Sequence, residues 1–152
     1  MAPAIATVYA SGADKTYGDA DPQLAASVSG LVNGETEDKI AYSIAREAGE
    51  DAGTYAIVVT GETAQGNYSV TYVNAEFIIS PASAIVTAEN ASKAYGAADP
   101  QFTATVAGLV NGEGADKIAY TFTRDAGEEA GTYAIYPQGE GLQGNYAVSY
   151  LP

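Results

Sequence analysis

Cysteine, histidine and tryptophan are absent from the 152 residues, and lysine and arginine together occur six times against nineteen acids. Without cysteine there is no disulfide and no thiolate chemistry. Without histidine the usual proton shuttle is gone, and with both missing most zinc sites go too. The redox compartment stays open, because cysteine-free chains are found in oxidising surroundings and in the cytosol alike. A net charge of −13 repels phosphate backbones and anionic head groups, so neither nucleic-acid binding nor direct membrane binding is expected. No apolar run approaches the length needed to cross a membrane. The chain is nevertheless 47% apolar and only 16% charged, which fits a folded protein and not a disordered acidic tail.

What the chain does contain, it contains twice. Residues 3–74 overlay residues 81–152 at a constant offset of 78 without a gap, and about 44 of the 72 paired positions are identical. Tyr17-Gly18-Asp19-Ala20-Asp21-Pro22-Gln23 returns as Tyr95-Gly96-Ala97-Ala98-Asp99-Pro100-Gln101, GLVNGE at 30–35 returns at 108–113, and AGTYAI at 52–57 returns at 130–135. The expected domains are therefore residues 3–80 and 81–152. Copies of this size bury only about 60% of their unfolded surface, so their cores are adequate but thin. All six bases are matched: Lys15 with Lys93, Lys39 with Lys117, Arg46 with Arg124. Catalysis seldom needs an identical neighbour, whereas spacing, display and multivalent attachment gain from one.

Alternation at period two predicts strands. Ala6, Val8 and Ala10 mark the first; Ile40, Tyr42 and Ile44, then Tyr55, Ile57 and Val59, then Tyr68, Val70 and Tyr72 mark three more, and Phe77 to Ile79 a last one. Leu24, Val28 and Leu31 have helical spacing behind Asp21-Pro22. The second copy, however, puts Thr103 and Thr105 between Phe102, Ala104 and Val106, which favours a strand with at most a helical turn after the proline. Asn33-Gly34 and Asn111-Gly112 read as tight turns. The fold class expected is all-β, two tandem small modules of about six strands each. The alternative is an immunoglobulin-like sandwich, because Glu50-Asp51-Ala52-Gly53-Thr54-Tyr55 resembles the approach to that fold's tyrosine corner.

The order K-x-YG-x-x-DP, GLVNGE, AGTYAI, QGNY and a closing FIIS strand resembles the MBG repeat, a glycine-rich family named for its likeness to mucus-binding-protein modules. In the first copy the matching positions are Lys15, Tyr17, Gly18, Asp21, Pro22, Gly30, Asn33, Gly34, Gly53, Tyr55, Gly66, Asn67 and Tyr68, and the second copy repeats all of them. The resemblance covers nearly the whole chain. It implies a non-catalytic repeat of a large bacterial surface or secreted adhesin, located outside the cell or on its surface. It also implies β modules related to the β-grasp modules of mucus-binding proteins, with no catalytic residues to carry over. The partners it implies are neighbouring repeats of the same chain and, for an attachment role, a host glycan or surface protein.

Candidate sites are few. Asp19, Asp21, Glu35, Glu37 and Asp38 could supply oxygen ligands for calcium, but Ala97 and Ala115 stand where Asp19 and Glu37 were and no calcium-loop spacing is present. No cofactor is expected beyond that calcium possibility. Paired carboxylates are the only catalytic chemistry left, and nothing marks two of them as converging in an apolar cleft, so no enzyme is expected. Ten of the twelve tyrosines are matched and read as packing. Tyr9 and Tyr136 are unmatched and are the candidates for exposed ligand contact.

The ends of the chain carry two further expectations. Pro3 aligns with Pro81, so the chain reads as an excised piece whose leader, if any, lies elsewhere. The joint Ser80-Pro81-Ala82 is so short that a stiff rod is expected. The second copy stops before any counterpart of Ala75–Ser80, so it should be the less stable and open to strand exchange, with residues 5–10 of a neighbouring chain as a donor.

Overall fold

Side chains that alternate in the sequence alternate in space. In the computed structural model, which describes residues 1–152, the regular structure is strand apart from two three-residue 3-10 turns at Glu37–Lys39 and Ala115–Lys117. The chain divides into two units, Met1–Ser80 and Pro81–Pro152. The first holds β1 (Ala4–Ala10), β2 (Ala13–Thr16), β3 (Ala26–Ser29), β4 (Ser43–Arg46), β5 (Gly53–Thr60), β6 (Ala64–Gln65), β7 (Tyr68–Val73) and β8 (Ala75–Ser80). The second holds β9 (Ala82–Ala88), β10 (Ala104–Ala107), β11 (Thr121–Arg124), β12 (Ile135–Gln138), β13 (Leu142–Gln143) and β14 (Tyr146–Leu151).

In the first unit one sheet runs β3-β1-β7-β6 and the other β2-β8-β5-β4. Two pairs, β1 with β7 and β2 with β8, are parallel, and the others are antiparallel. Ala6 and Val8 of β1, Tyr68 and Val70 of β7 and Val59 of β5 meet with Ile40 in one core shared by both sheets. Phe77, Ile57 and Ile79 are likewise buried. The all-β class is therefore as expected, and the arrangement is a two-sheet sandwich. The sheet β3-β1-β7-β6, with its parallel central pair β1 and β7 flanked by antiparallel partners, has the mixed strand order of a β-grasp sheet, but neither unit has a helix to lay across it.

Several local expectations change. The strand marked by Ile40, Tyr42 and Ile44 begins only at Ser43, because Ile40 follows directly on the 3-10 turn and closes it with an N–H···O bond to Glu37. Residues 21–25 form no helical turn; the chain re-enters a sheet at Ala26. The first unit has eight strands and not about six, because β2 and β6 were hidden in polar sequence. Residues 5–10 are no free donor: β1 is paired on both sides, and Ala6 and Val8 are fully buried. Asn33 and Gly34 both have positive φ, 57° and 69°, and the Glu35 N–H closes on the Val32 carbonyl, so this is a tight turn, repeated at Asn111-Gly112.

In the second unit β10-β9-β14-β13 reproduce the first sheet, but the other is reduced to β11-β12. No counterpart of β8 exists in these residues, and the segments that would flank it, 91–94 and 131–134, belong to no strand. Six apolar side chains are buried there against ten in the first unit.

Candidate functional site

A cluster of four charges stands at one end of the second sheet of the first unit. It is assembled from residues far apart in sequence. β2 alternates so that Lys15 points inward, and its side chain is only 4% exposed. A buried ammonium needs partners, and it has three: the Asp21 carboxylate at 2.8 Å, Glu50 Oε1 at 2.5 Å and the Asp19 carbonyl at 3.0 Å. Arg46, the last residue of β4, grips Asp21 with both Nε (2.7 Å) and Nη2 (3.1 Å). It also pairs with Glu50 and donates from Nη1 to the carbonyls of Glu47 and Gly49, each at 2.8 Å. Its guanidinium lies 4.7 Å over the Phe77 ring and 5.6 Å from the centre of the Tyr55 ring. Tyr55 donates its hydroxyl proton to the Asp51 carbonyl at 2.7 Å, the corner bond that the sequence pattern suggested. Gly49 lets that ring approach: a Cβ there would stand 2.4 Å from it.

The second unit repeats this geometry. Lys93 lies 2.8 Å from Asp99 and 2.6 Å from Glu128, Arg124 grips Asp99 at 2.7 and 3.2 Å, and Tyr133 donates to the Glu129 carbonyl at 2.8 Å. Hydrogen bonds from Arg46, then from Lys15, hold the Asp21 carboxyl down at about 2, and Arg124 and Lys93 do the same to Asp99. Lys15 and Lys93 are pushed up by the same pairings, with Asp21 and Asp99 respectively the main cause.

That electrostatic state decides what the cluster can do. Attack by a lysine on a neighbouring carboxyl needs a neutral amine and a protonated acid, and here both groups are held in their charged forms. The cluster is a lock. It ties the loop carrying Asp21-Pro22 to β2, to the end of β4 and to the β4–β5 loop.

Four of the five calcium candidates have side chains engaged within the protein. Asp21 is in the lock. Glu35 accepts the Tyr68 hydroxyl at 2.5 Å and pairs with Lys39 at 3.8 Å, Asp38 accepts the Thr36 hydroxyl, and Glu37 accepts the Val28 N–H at 3.1 Å on the open edge of β3. Asp19 lies exposed in the turn after β2. No three acids are grouped so as to hold a metal ion. Tyr9 and Tyr136 are 44% and 41% exposed, on β1 and β12. A hydrogen bond to Asp125 raises the Tyr136 hydroxyl pKa. Proximity in the sequence would pair Arg46 with Glu47 and Glu50: Glu50 does pair with it, whereas the Glu47 carboxylate accepts the Ala56 N–H. It missed the partnership of Lys15 and Arg46 with Asp21, whose one signal was that all four charged positions recur in both copies.

Two modules built on one plan, each locked by the same four charges, define a tandem all-β repeat protein. The family model for the MBG domain (YGX type) matches residues 6–78 and again 84–152, so the chain belongs to the MBG domain family. No curated protein and no solved structure matches it. No helix is long and apolar enough to cross a membrane.

Proposed function

We propose that the two modules are a non-catalytic stretch of a bacterial cell-surface or secreted adhesin, serving as stalk or spacer and offering at most a weak attachment surface to a host glycan or surface protein. The observation that supports this reading is where the copies agree. On β1 and β9 the inward residues are the same, Ala4, Ala6, Val8 and Ala10 against Ala82, Ala84, Val86 and Ala88. The outward ones differ at every position: Ile5, Thr7 and Tyr9 against Ser83, Ile85 and Thr87. The lock, the turns and the tyrosine corner are shared as well. On this strand the copies share scaffold and not surface, as expected of an element selected to be stable and long; a recognition site used by both copies on this face would share surface.

A glycan array probed with the 152-residue chain tests it. The spacer reading expects no specific hit. Saturable binding to one glycan class that Tyr9→Ala or Tyr136→Ala abolishes would instead make this a dedicated binding module.

A further inference from the structure

One sheet edge is guarded in the first unit and unguarded in the second. β3 and β10 occupy matched places, each the outermost strand of its four-stranded sheet and paired on one side only, with β1 or β9. The Ser11 and Glu89 N–H groups bond to the carbonyls of Ala25 and Thr103, so every second residue of each strand faces its neighbour. The groups that point away from the sheet are then the N–H and C=O of Ala26 and Val28 in one strand and of Ala104 and Val106 in the other. In the first unit the Glu37 carboxylate reaches over from the 3-10 turn and accepts the Val28 N–H at 3.1 Å. A charge seated on an edge keeps another strand from adding there. In the second unit the same turn is present, but Ala115 holds the place of Glu37, and the Val106 N–H has no carboxylate upon it. Neither strand brings a charge of its own, since residues 22–34 and 100–112 contain no acid or base. The other edges that both units share are poorer: β4 and β11 end in Arg46 and Arg124, and β6 and β13 are two residues long.

We propose that the β10 edge is a self-association surface, and that its partner is the β10 of a second copy of this chain. The strands run antiparallel, with the two Thr105 residues facing each other and Ala104 of each copy opposite Val106 of the other. In that register every outward N–H and C=O of Ala104 and Val106 is bonded, and the two sheets β10-β9-β14-β13 become one continuous sheet. The pairing is two-fold symmetric, so it closes at a dimer. Charge selects this occupant. A chain with a net charge of −13 repels its own copies over most of its surface, and they can approach closely only where acids are absent. A basic partner is drawn to the acids instead. An uncharged edge suits a strand that is itself uncharged, and β10 is such a strand, whereas its twin β3 is held shut by Glu37. A four-residue pairing is far smaller than the interface of a stable complex, so the dimer is weak, with a Kd on the order of 0.1–1 mM.

Sedimentation velocity and amide NMR on the full 152-residue chain, from about 10 µM to about 2 mM, test the pairing across the expected Kd. The expected result is a monomer that becomes a dimer at the upper end of the range, more readily in about 0.15 M than in about 0.01 M sodium chloride because salt screens the repulsion. The largest concentration-dependent amide shifts should fall at Ala104 and Val106, with none at Ala26 and Val28. Ala115→Glu gives the second unit the residue that the first already carries on the same turn, and should weaken the dimer roughly tenfold or more. Glu37→Ala should open the β3 edge as well and carry the mass beyond a dimer. No association at about 2 mM would overturn the proposal and leave the edge to a strand from a different polypeptide. So would a dimer that Ala115→Glu leaves unchanged, or amide shifts centred away from β10.

Discussion

At the scale of single residues, the second unit shows how a hydrogen bond can be removed without leaving half of it behind. In the first unit the Val59 N–H donates to Asn74 Oδ1 at 3.1 Å. Their counterparts are Pro137 and Pro152, so donor and acceptor are both gone, and an exchange of both partners costs far less than orphaning one. Pro137 sits in β12 opposite Phe122, at a point where β5 makes no pairing with β8 either, so the strand tolerates it. The charge lock is the opposite case, with every member retained. Asp21 and Asp99 have folded-state pKa values of about 2 against an ordinary 3.8. As pH falls the unfolded chain therefore takes up these protons first, so the stability the lock contributes is intact above about pH 4 and is lost as pH falls towards 2. Urea denaturation between pH 7 and pH 2 should show that loss, and the Asp21→Asn/Asp99→Asn double variant, weaker at neutral pH, should respond less steeply in the same window. Equal slopes would mean that the lock does not carry the acid sensitivity.

At the scale of elements, the contrast between the two units isolates what one strand does. Residues 53–56 and 131–134 have the same sequence, Gly-Thr-Tyr-Ala, yet the first begins a strand and the second does not. Propensity is identical, so the difference is the presence of β8 alongside. Hydrogen exchange should be slow at Ala13–Thr16 and 53–56 and fast at 91–94 and 131–134. Phe77→Ala, removing a fully buried ring, should destabilise the first unit by about 3–5 kcal/mol and bring its two flanking segments towards the fast exchange of the second. Unchanged protection there would show that something other than β8 holds them. The same contrast explains what was legible beforehand. Strands with apolar alternation, such as Tyr68–Val73, could be read directly. β2 could not, because its inward residue is Lys15, and a buried charge is intelligible only once its partners, 6 and 35 residues further along, are seen beside it. Ile40 misled for a related reason: it is a core residue, but its backbone is fixed by the 3-10 turn before it and not by a strand neighbour. The tyrosine corner was readable because its spacing is local; the lock was not, because it is made by the topology.

At the scale of the whole molecule, charge is distributed very unevenly between local and global effects. All six bases are in ion pairs: Lys15, Lys39 and Arg46 in the first unit and Lys93, Lys117 and Arg124 in the second. The thirteen acids left in excess have no cation to oppose them and repel one another across the surface. Salt acts on both populations with opposite sign. It weakens the exposed pairs, each typically contributing about 0–1 kcal/mol, and it screens the repulsion, whose range shrinks from about 30 Å at 0.01 M to about 8 Å at 0.15 M ionic strength. Repulsion is summed over many distant pairs, whereas the strongest attractions run to Lys15 and Arg46, whose side chains are 4% and 8% exposed and so are screened little. Screening of the repulsion should therefore win. The melting temperature is expected to rise by a few degrees between 0.01 M and 0.15 M sodium chloride, and to stay unchanged when a chelator is added at constant ionic strength. A fall with salt would show that exposed ion pairs carry the fold. A fall with chelator that calcium restores would place a metal among the acids of the loop around Asp19 and Asp21, or of the one around Glu35 and Asp38.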